Sequence, residues 1–160
     1  MFGVKYFRHA MALLLLASST LGGCASFEIR ASIPTDSAPD LTGLSLDKAA
    51  IACLDWAWSV SHRRELAGGI VLNSDFVLEC TPLTMGSPDS VEYLPGSGWI
   101  AHFHTHTRPG RISSLDKETV QGDPQMRRSY MREPSGIVWV YECLPHEESY
   151  ECGERFIPTH

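Results

Sequence analysis

The sequence predicts an α+β fold in a single domain, with a mixed or antiparallel β-sheet flanked by helices. The length of 160 residues suits one domain with attached segments. One segment with helical periodicity precedes a set of short apolar runs, and a second, shorter helical segment divides these runs into two groups. This segregated order is typical of α+β proteins rather than of alternating α/β proteins.

The first 23 residues have the pattern of a secretory signal. Lys5 and Arg8 precede the apolar run 10–17, which is too short to span a bilayer. Residues 21–24, Leu-Gly-Gly-Cys, resemble the lipobox of bacterial lipoproteins, in which cleavage leaves the cysteine to carry lipid. We therefore expect lipid on Cys24 and an outer-membrane lipoprotein of the cell envelope that faces the periplasm, since Ala25 also resembles the outer-membrane sorting pattern. A soluble secreted protein cut nearby is the alternative.

The net charge bears on the class of partner. The whole chain has a formal net charge of −6, and removal of residues 1–23 deletes two cations and no anion, which leaves −8. Such a chain offers no basic surface that could neutralise a row of phosphates. Nucleic acid is therefore not an expected partner.

Four cysteines remain after Cys24. In an oxidising compartment an even set predicts disulfides more readily than thiolate metal ligands, and the chain has no Cys-x-x-Cys. Three pairings can be drawn. We favour Cys53 with Cys80, which would join a helix to a strand, and Cys143 with Cys152, which would cross a hairpin. The sequence leaves the other two pairings open.

The N-terminal part of the mature chain divides at about Ser45. Residues 24–44 are rich in Ser, Pro, Asp and Thr without periodicity, which predicts a flexible tether ahead of a folded domain 45–160. In residues 45–64, small and apolar side chains recur at helical spacing, with Ser45 or Asp47 available as the N-cap. This segment predicts one amphipathic helix.

Strands and a polar loop follow this helix. Residues 65–72 and 76–80 are short apolar runs on either side of an Asn-Ser-Asp turn, which predicts a hairpin. Residues 81–98 are polar and rich in proline and glycine, which predicts a loop able to border a substrate groove. Residues 98–104 then predict a further strand.

The C-terminal part predicts a short helix and three strands. The helix covers residues 113–121, with Ser113 as its N-cap. Strands are predicted at residues 128–132 and 136–143, on either side of a Glu-Pro-Ser-Gly turn. A last strand near 154–157 would close a hairpin around the bridge between the two C-terminal cysteines.

Three histidines at alternate positions, His102, His104 and His106, are the most informative feature of the sequence. Residues two apart in a strand point to the same face, so a His-x-His near a strand end can aim two imidazoles at one ion. A Ser-x-x-Asp formed by Ser113 and Asp116 follows shortly afterwards. This clustering favours a metal site.

The spacing His104-x-His106 followed by Ser113-x-x-Asp116 resembles the signature of the JAMM metallopeptidases, also called the MPN+ or Mov34/JAB superfamily. That signature begins upstream with Glu-x-x-Gly and an apolar strand. Glu65, followed by Leu-Ala-Gly-Gly-Ile-Val-Leu, has the same form. In detail the segment is most similar to the bacterial JAB domains of secreted and envelope proteins, whose strands carry sequences like His-Phe-His-Thr-His.

The resemblance implies a JAB/MPN-like fold and a role for each of the five residues. His104, His106 and Asp116 would hold Zn²⁺, which in catalytic sites takes three protein ligands and keeps a fourth position for water. Glu65 would take a proton from that water and return it to the departing amine. Ser113 would stabilise the oxyanion through its hydroxyl. The reaction implied is hydrolysis of a peptide or isopeptide amide without a covalent enzyme intermediate.

The resemblance covers residues 45–141, with two departures from the family pattern. Thr107 stands where the family commonly has proline. His102 creates a second His-x-His frame with His104. We prefer the frame of His104 and His106, because the distance along the chain from His106 to Asp116 is near the family spacing. His102 would then pack or support a ligand.

Each piece also has an ordinary structural interpretation. Ser113-x-x-Asp116 is a capping box, a His-x-His on a strand is commonly exposed or packed, and Glu65 could simply follow a helix end. Only the joint occurrence, in order and at fitting distances, favours zinc-dependent hydrolysis. The alternatives are a non-catalytic metal-binding or interaction lipoprotein that keeps the fold, and a stoichiometric partner of a secreted system. For an enzyme, the envelope makes peptides, proteins or peptidoglycan stem peptides the candidate substrates.

Overall fold

The computed structural model describes residues 31–123, 125–147 and 149–159. The predicted signal peptide, the lipobox and the lipid on Cys24 lie outside the described residues. The helices are α1 (Leu46–Val60) and α2 (Ser114–Gly122). The strands are β1 (Ser32–Ile33), β2 (Leu66–Leu72), β3 (Leu78–Cys80), β4 (Leu83–Met85), β5 (Trp99–Thr105), β6 (Arg128–Arg132), β7 (Val138–His146) and β8 (Ser149–Ile157).

The strands form one mixed sheet, which confirms the predicted α+β class. Its order is β1-β4-β2-β5-β6-β7-β8, and β3 pairs with β2 outside this path. All pairs are antiparallel except β5 and β6, which run parallel. The register places Gly69 of β2 and Ser129 of β6 on either side of His102. The histidine strand is therefore an inner strand of the sheet.

The sheet carries a buried cluster on each face. Phe103 and Tyr130 belong to the larger cluster, which includes the apolar residues of α1. Met131 belongs to the smaller cluster, which includes Val120 of α2. Since successive side chains of a strand point to opposite faces, His102 and His104 lie on the α2 side of the sheet.

The two helices were predicted close to their observed bounds. Ser45 is the N-cap position of α1, although its side chain makes no capping hydrogen bond. The helix ends at Val60 rather than at residue 64, because the Ser61 hydroxyl accepts hydrogen bonds from the backbone N–H groups of Arg63 and Arg64 and turns the chain. The helix α2 begins after Ser113, as predicted.

Residues 31–44 belong to the folded domain, so the predicted tether 24–44 is too long. Ile33 pairs with Leu83 between β1 and β4, and Leu41 is only 2% exposed. Leu44 packs against the main core cluster. These aliphatic side chains follow no helical or strand period, so the segment was predicted to be a tether. Each of them nevertheless buries apolar area, which stabilises the packed conformation.

Both favoured disulfides are confirmed. Cys53 of α1 is bonded to Cys80 of β3, and Cys143 is bonded to Cys152. The second pair lies directly opposite in the antiparallel pairing of β7 and β8. The strand β8 begins at Ser149, earlier than the predicted 154–157, because the hairpin continues beyond the disulfide.

A charged network joins the first turn of α1 to three strands. The Asp47 carboxylate accepts hydrogen bonds from the Tyr130 hydroxyl at 2.7 Å, from Arg128 at 3.0 Å and from Arg155 at 2.9 Å. Both arginines also contact Glu142, at 3.0 and 2.8 Å. Burial by itself raises the pKa of Asp47, but the hydrogen bonds and the two positive charges outweigh burial and hold that pKa below its usual value.

Candidate metal centre

The strand β5 brings the three histidines into one row. His102 and His104 point to the same face of the sheet and are almost completely buried, at 0% and 2% exposure. His106 follows one residue after the strand, and its backbone N–H still donates to the carbonyl of Arg132 in line with β6. The ring centroids of His102 and His104 are 6.0 Å apart, and those of His104 and His106 are 5.0 Å apart.

The first turn of α2 holds Asp116 against this row. The Ser113 hydroxyl donates to Asp116 Oδ2 at 2.6 Å and accepts from the backbone N–H of Asp116 at 3.2 Å. The Ser113 N–H also donates to Oδ2, which completes a capping box. The capping interpretation of Ser-x-x-Asp is thus confirmed. The same hydrogen bonds fix the direction of the carboxylate.

The Nε2 atom of His104 lies close to both the Asp116 carboxylate and the His106 imidazole. Asp116 Oδ2 lies 3.6 Å from His104 Nε2, and His104 Nε2 lies 3.1 Å from His106 Nε2. Ligand atoms of one tetrahedral zinc ion are about 3.3 Å apart. Asp116 Oδ1 lies 3.9 Å from His102 Nε2. The residues whose ligand atoms all lie within 4.8 Å of one another, and which could hold a metal ion, are His102, His104 and Asp116. This group differs from the predicted ligand set, because it contains His102 in place of His106.

The chemistry of the donor set also fits a metal cation. Burial lowers the pKa of His104 and lowers that of His106 to about 4, so both imidazoles are neutral at neutral pH. Burial raises the pKa of Asp116, but the nearby imidazole of His104 and the hydrogen bond from Ser113 outweigh burial and keep the carboxyl ionised. Neutral imidazoles and an ionised carboxylate are the forms that bind metals.

His104 supports the same conclusion through its hydrogen bonding. Its Nδ1 is buried without a hydrogen-bond partner among the described residues, and its Nε2 faces another imidazole nitrogen. Two neutral imidazoles share at most one proton across such a gap. A cation between the two rings would satisfy the Nε2 atoms, whereas Nδ1 lies on the other side of the His104 ring and would gain no partner from that ion.

Glu65 lies at the start of β2, where two backbone hydrogen bonds fix its main chain. Its backbone N–H and carbonyl are hydrogen-bonded to residues 86–87 at 2.9 and 2.8 Å, and its side chain is largely buried. Burial and, to a smaller extent, the charges of Asp116 and Asp89 together raise its pKa to about 7, against the opposing effect of a hydrogen bond from the Val91 backbone. A carboxyl group that titrates near neutral pH is suited to proton transfer.

One pocket of about 770 Å³ brings the predicted residues together. The residues of the predicted site that line it are Glu65, His104, His106, Ser113 and Asp116. The loop after β4 forms one wall with Pro88 to Tyr93, which agrees with the predicted groove border. His102 is not among the lining residues, because it lies behind His104 in the sheet.

Sequence reasoning missed Tyr93, which the loop after β4 places beside the histidines. Its hydroxyl donates to Asp116 Oδ1 at 3.3 Å and contacts both ring nitrogens of His102. Its ring stacks on Trp99, with centroids 6.1 Å apart and planes inclined by 18°. The only sequence signal was an aromatic residue in a polar, proline-rich loop, and such a residue has no periodicity that would assign a partner.

Comparisons with known proteins give no relative for this chain: no family model, no curated protein and no solved structure matches it. The two disulfides indicate an oxidising, non-cytoplasmic location. In the part of the chain that the structure describes, no helix has the length and apolar character needed to cross a membrane.

Proposed function

We propose that this protein is a zinc-dependent hydrolase of peptide or isopeptide amide bonds, of the JAMM type. The observation that carries the proposal is the convergence of five side chains on one pocket from three separate parts of the chain. Those side chains are Glu65, His104, His106, Ser113 and Asp116. The sequence pattern that resembles the JAMM signature thus has a counterpart in space.

In this proposal His104, His106 and Asp116 hold the ion. A zinc ion held by two neutral imidazoles and one carboxylate lowers the pKa of a bound water to about 7 and polarises a carbonyl oxygen. Asp116 is oriented for this role by Ser113, and His104 is oriented by its place in the sheet. Two of the proposed ligands therefore lie on a strand and a helix, and the third, His106, is tied to Arg132 by its backbone hydrogen bond.

Glu65 and Ser113 carry the proton transfer and the charge stabilisation. The Glu65 carboxylate accepts a proton from the attacking water and returns it to the departing amine, which its pKa near 7 allows in both directions. The Ser113 hydroxyl donates to Asp116 in the structure. To stabilise the oxyanion it rotates toward the attacked carbonyl, while the Ser113 backbone N–H keeps its hydrogen bond to Asp116 Oδ2.

The location adds the substrate class. The signal and lipobox pattern of residues 1–24 supports a lipid anchor on Cys24 in the outer membrane, and the disulfides support an oxidising compartment. Peptides, proteins and peptidoglycan stem peptides are the amide substrates that a periplasmic site would encounter. We propose these as the substrates.

A non-catalytic metal-binding lipoprotein is the second candidate. It is favoured by the capping box, in which the single proton of the Ser113 hydroxyl is already donated to Asp116. In such a protein Ser113 would only position Asp116, and Glu65 would transfer no proton. The two candidates therefore differ in what Glu65 does.

The deciding experiment compares zinc content and turnover in the mature chain purified without a metal-affinity tag. We expect about one zinc per chain in the wild type, measured by elemental analysis, and amide cleavage in a screen of peptides and muropeptides. Glu65→Gln should keep the zinc and lose turnover by at least about 100-fold, the scale of a missing general base. His104→Ala and Asp116→Ala should lose both.

Glu79→Gln is the matched control. Glu79 lies on β3, where it accepts a hydrogen bond from Asn73 and does not line the pocket. It should keep zinc and turnover. Full zinc occupancy in the His104→Ala and Asp116→Ala variants would refute the site, and zinc binding without turnover of any amide substrate would favour the non-catalytic candidate.

A further inference from the structure

We infer that Tyr93 and His102 are positioning residues that fix the Asp116 carboxylate for the metal, and that His102 is not a ligand itself. The inference rests on the proposed zinc site and adds two residues to it. What carries it is a continuous chain of hydrogen-bonding side chains from the sheet interior to Asp116. The chain runs through Ser129, His102 and Tyr93.

The direction of each hydrogen bond follows from the last group in the chain. A carboxylate oxygen only accepts, so the Tyr93 hydroxyl, 3.3 Å from Asp116 Oδ1, donates to it. The Tyr93 oxygen then accepts from the N–H of His102 at Nδ1. The remaining nitrogen of His102, Nε2, carries no proton and accepts from the Ser129 hydroxyl. One tautomer of a neutral imidazole satisfies these three hydrogen bonds.

In this series of hydrogen bonds the two oxygens of Asp116 have different partners. Oδ1 accepts from Tyr93, whereas Oδ2 accepts from Ser113 and lies 3.6 Å from His104 Nε2. Rotation of the carboxylate would break contacts on both sides. Asp116 therefore presents Oδ2 toward His104 before an ion arrives, which is the function of groups that support a metal ligand.

The same contacts remove His102 from the ligand set. Both of its nitrogens are hydrogen-bonded, its side chain is fully buried, and it does not line the pocket. His106, by contrast, lines the pocket and faces His104 at 3.1 Å. For His102 to bind the ion it would have to release either the Tyr93 hydroxyl, which would keep only its contact with Asp116, or the Ser129 hydroxyl.

The loop after β4 is itself held firmly enough to position Tyr93. Trp99 stacks on the Tyr93 ring, and Gly69 leaves room for the indole. A hydrogen bond from the Thr107 hydroxyl to the carbonyl of Pro88 joins this loop to the segment after His106. The phenol is therefore anchored by packing, so that removal of its hydroxyl alone leaves the ring in place.

The test is the affinity of the mature chain for Zn²⁺, measured by competition with a chromophoric chelator. Tyr93→Phe should weaken zinc binding by about 10-fold or more, the usual cost of losing a group that supports a metal ligand. Tyr150→Phe is the matched control, because the Tyr150 hydroxyl accepts only from Arg127 among the described contacts and lies away from the pocket. Its zinc affinity should equal that of the wild type.

Ligand and positioning roles separate in two further variants. His102→Ala should still bind one zinc with weakened affinity, whereas His106→Ala should lose the ion. The reverse result would overturn the inference and make His102 the ligand. Because His102 is buried, the melting temperature of each metal-free variant is recorded first to establish that it is folded.

A measurement on the metal-free protein tests the chain of hydrogen bonds without any zinc. Long-range ¹H–¹⁵N correlation spectra of His102 should show the neutral tautomer with its proton on Nδ1. A proton on Nε2 would overturn the inference. If Tyr93→Phe binds zinc as tightly as the wild type, the positioning role fails while the zinc site stands. If the wild type binds no zinc, the proposed function fails as well.

Discussion

Gly69 provides the most direct test of how the sheet supports the site, through the variant Gly69→Ala. A Cβ atom at this position would lie 2.1, 2.3 and 2.6 Å from three atoms of the Trp99 indole. Ordinary carbon contacts are about 3.5–4.0 Å. The indole would therefore have to move by roughly 1.5 Å, and it carries the stacked Tyr93 ring with it.

The size of the effect follows from two opposing contributions. Overpacking of this kind typically costs about 1–3 kcal/mol. Replacing glycine by alanine within a strand returns roughly 0.5–1 kcal/mol, because glycine loses more conformational freedom on folding. We expect a net loss of about 1–2 kcal/mol in the free energy of unfolding, which corresponds to a fall in Tm of roughly 3–8 °C for a domain of this size.

The assay is urea denaturation followed by circular dichroism, with zinc affinity measured on the same samples. Gly153→Ala in β8 is the control, since a Cβ there meets nothing within 4 Å, and it should be as stable as the wild type or slightly more stable. Zinc affinity should fall in Gly69→Ala only, because Trp99 supports Tyr93. A Gly69→Ala variant as stable as the wild type would refute the described packing of Trp99 on β2.

Two further predictions concern stability alone. The Cys53–Cys80 bridge closes a loop with a sequence separation of 27, and the Cys143–Cys152 bridge closes one with a separation of 9. Replacing both cysteines of a bridge by alanine should therefore lower the free energy of unfolding, measured by chemical denaturation, by about 3.5 kcal/mol for the first bridge and about 2.6 kcal/mol for the second. A larger loss for the second bridge would contradict the chain-entropy argument. The pKa of Asp47 is lowered on folding, so its contribution is present above the unfolded pKa and lost as the pH falls through the folded value. The Tm difference between the wild type and Asp47→Asn should therefore shrink as the pH falls below about 4, and a constant difference would exclude this titration.

Much of the site could be predicted because its determinants are local. The alternation of a strand places His104 and His106 on one face, and a capping box places Asp116 in the first turn of a helix. The disulfide across β7 and β8 follows from a hairpin with a cysteine on each strand. Each of these features needs only a few neighbouring residues to be specified.

The remaining features depend on contacts between distant segments, which no local pattern records. Tyr93 reaches Asp116 because its ring stacks on Trp99, and Trp99 can pack on β2 because Gly69 has no side chain. Leu41 is buried although its segment has the composition of a tether. The strand β4 spans only Leu83–Met85, too short for its alternation to be visible. In each case tertiary packing decides the conformation.

The topology of the sheet explains why the site lies where it does. The only parallel pair among the described strands is β5 with β6, and such a pair needs a crossover, which here contains α2. The crossover brings the N-terminus of α2 to the C-terminal end of β5, where His104 and His106 lie. The positive end of the helix dipole favours an ionised Asp116 at that point. Glu65 stands at the start of the neighbouring antiparallel strand β2. It therefore lies at the same end of the strands as His104, because Ala67 pairs with His104. One parallel crossover in an otherwise antiparallel arrangement of the described strands is therefore sufficient to bring the proposed ligands and the proposed base together.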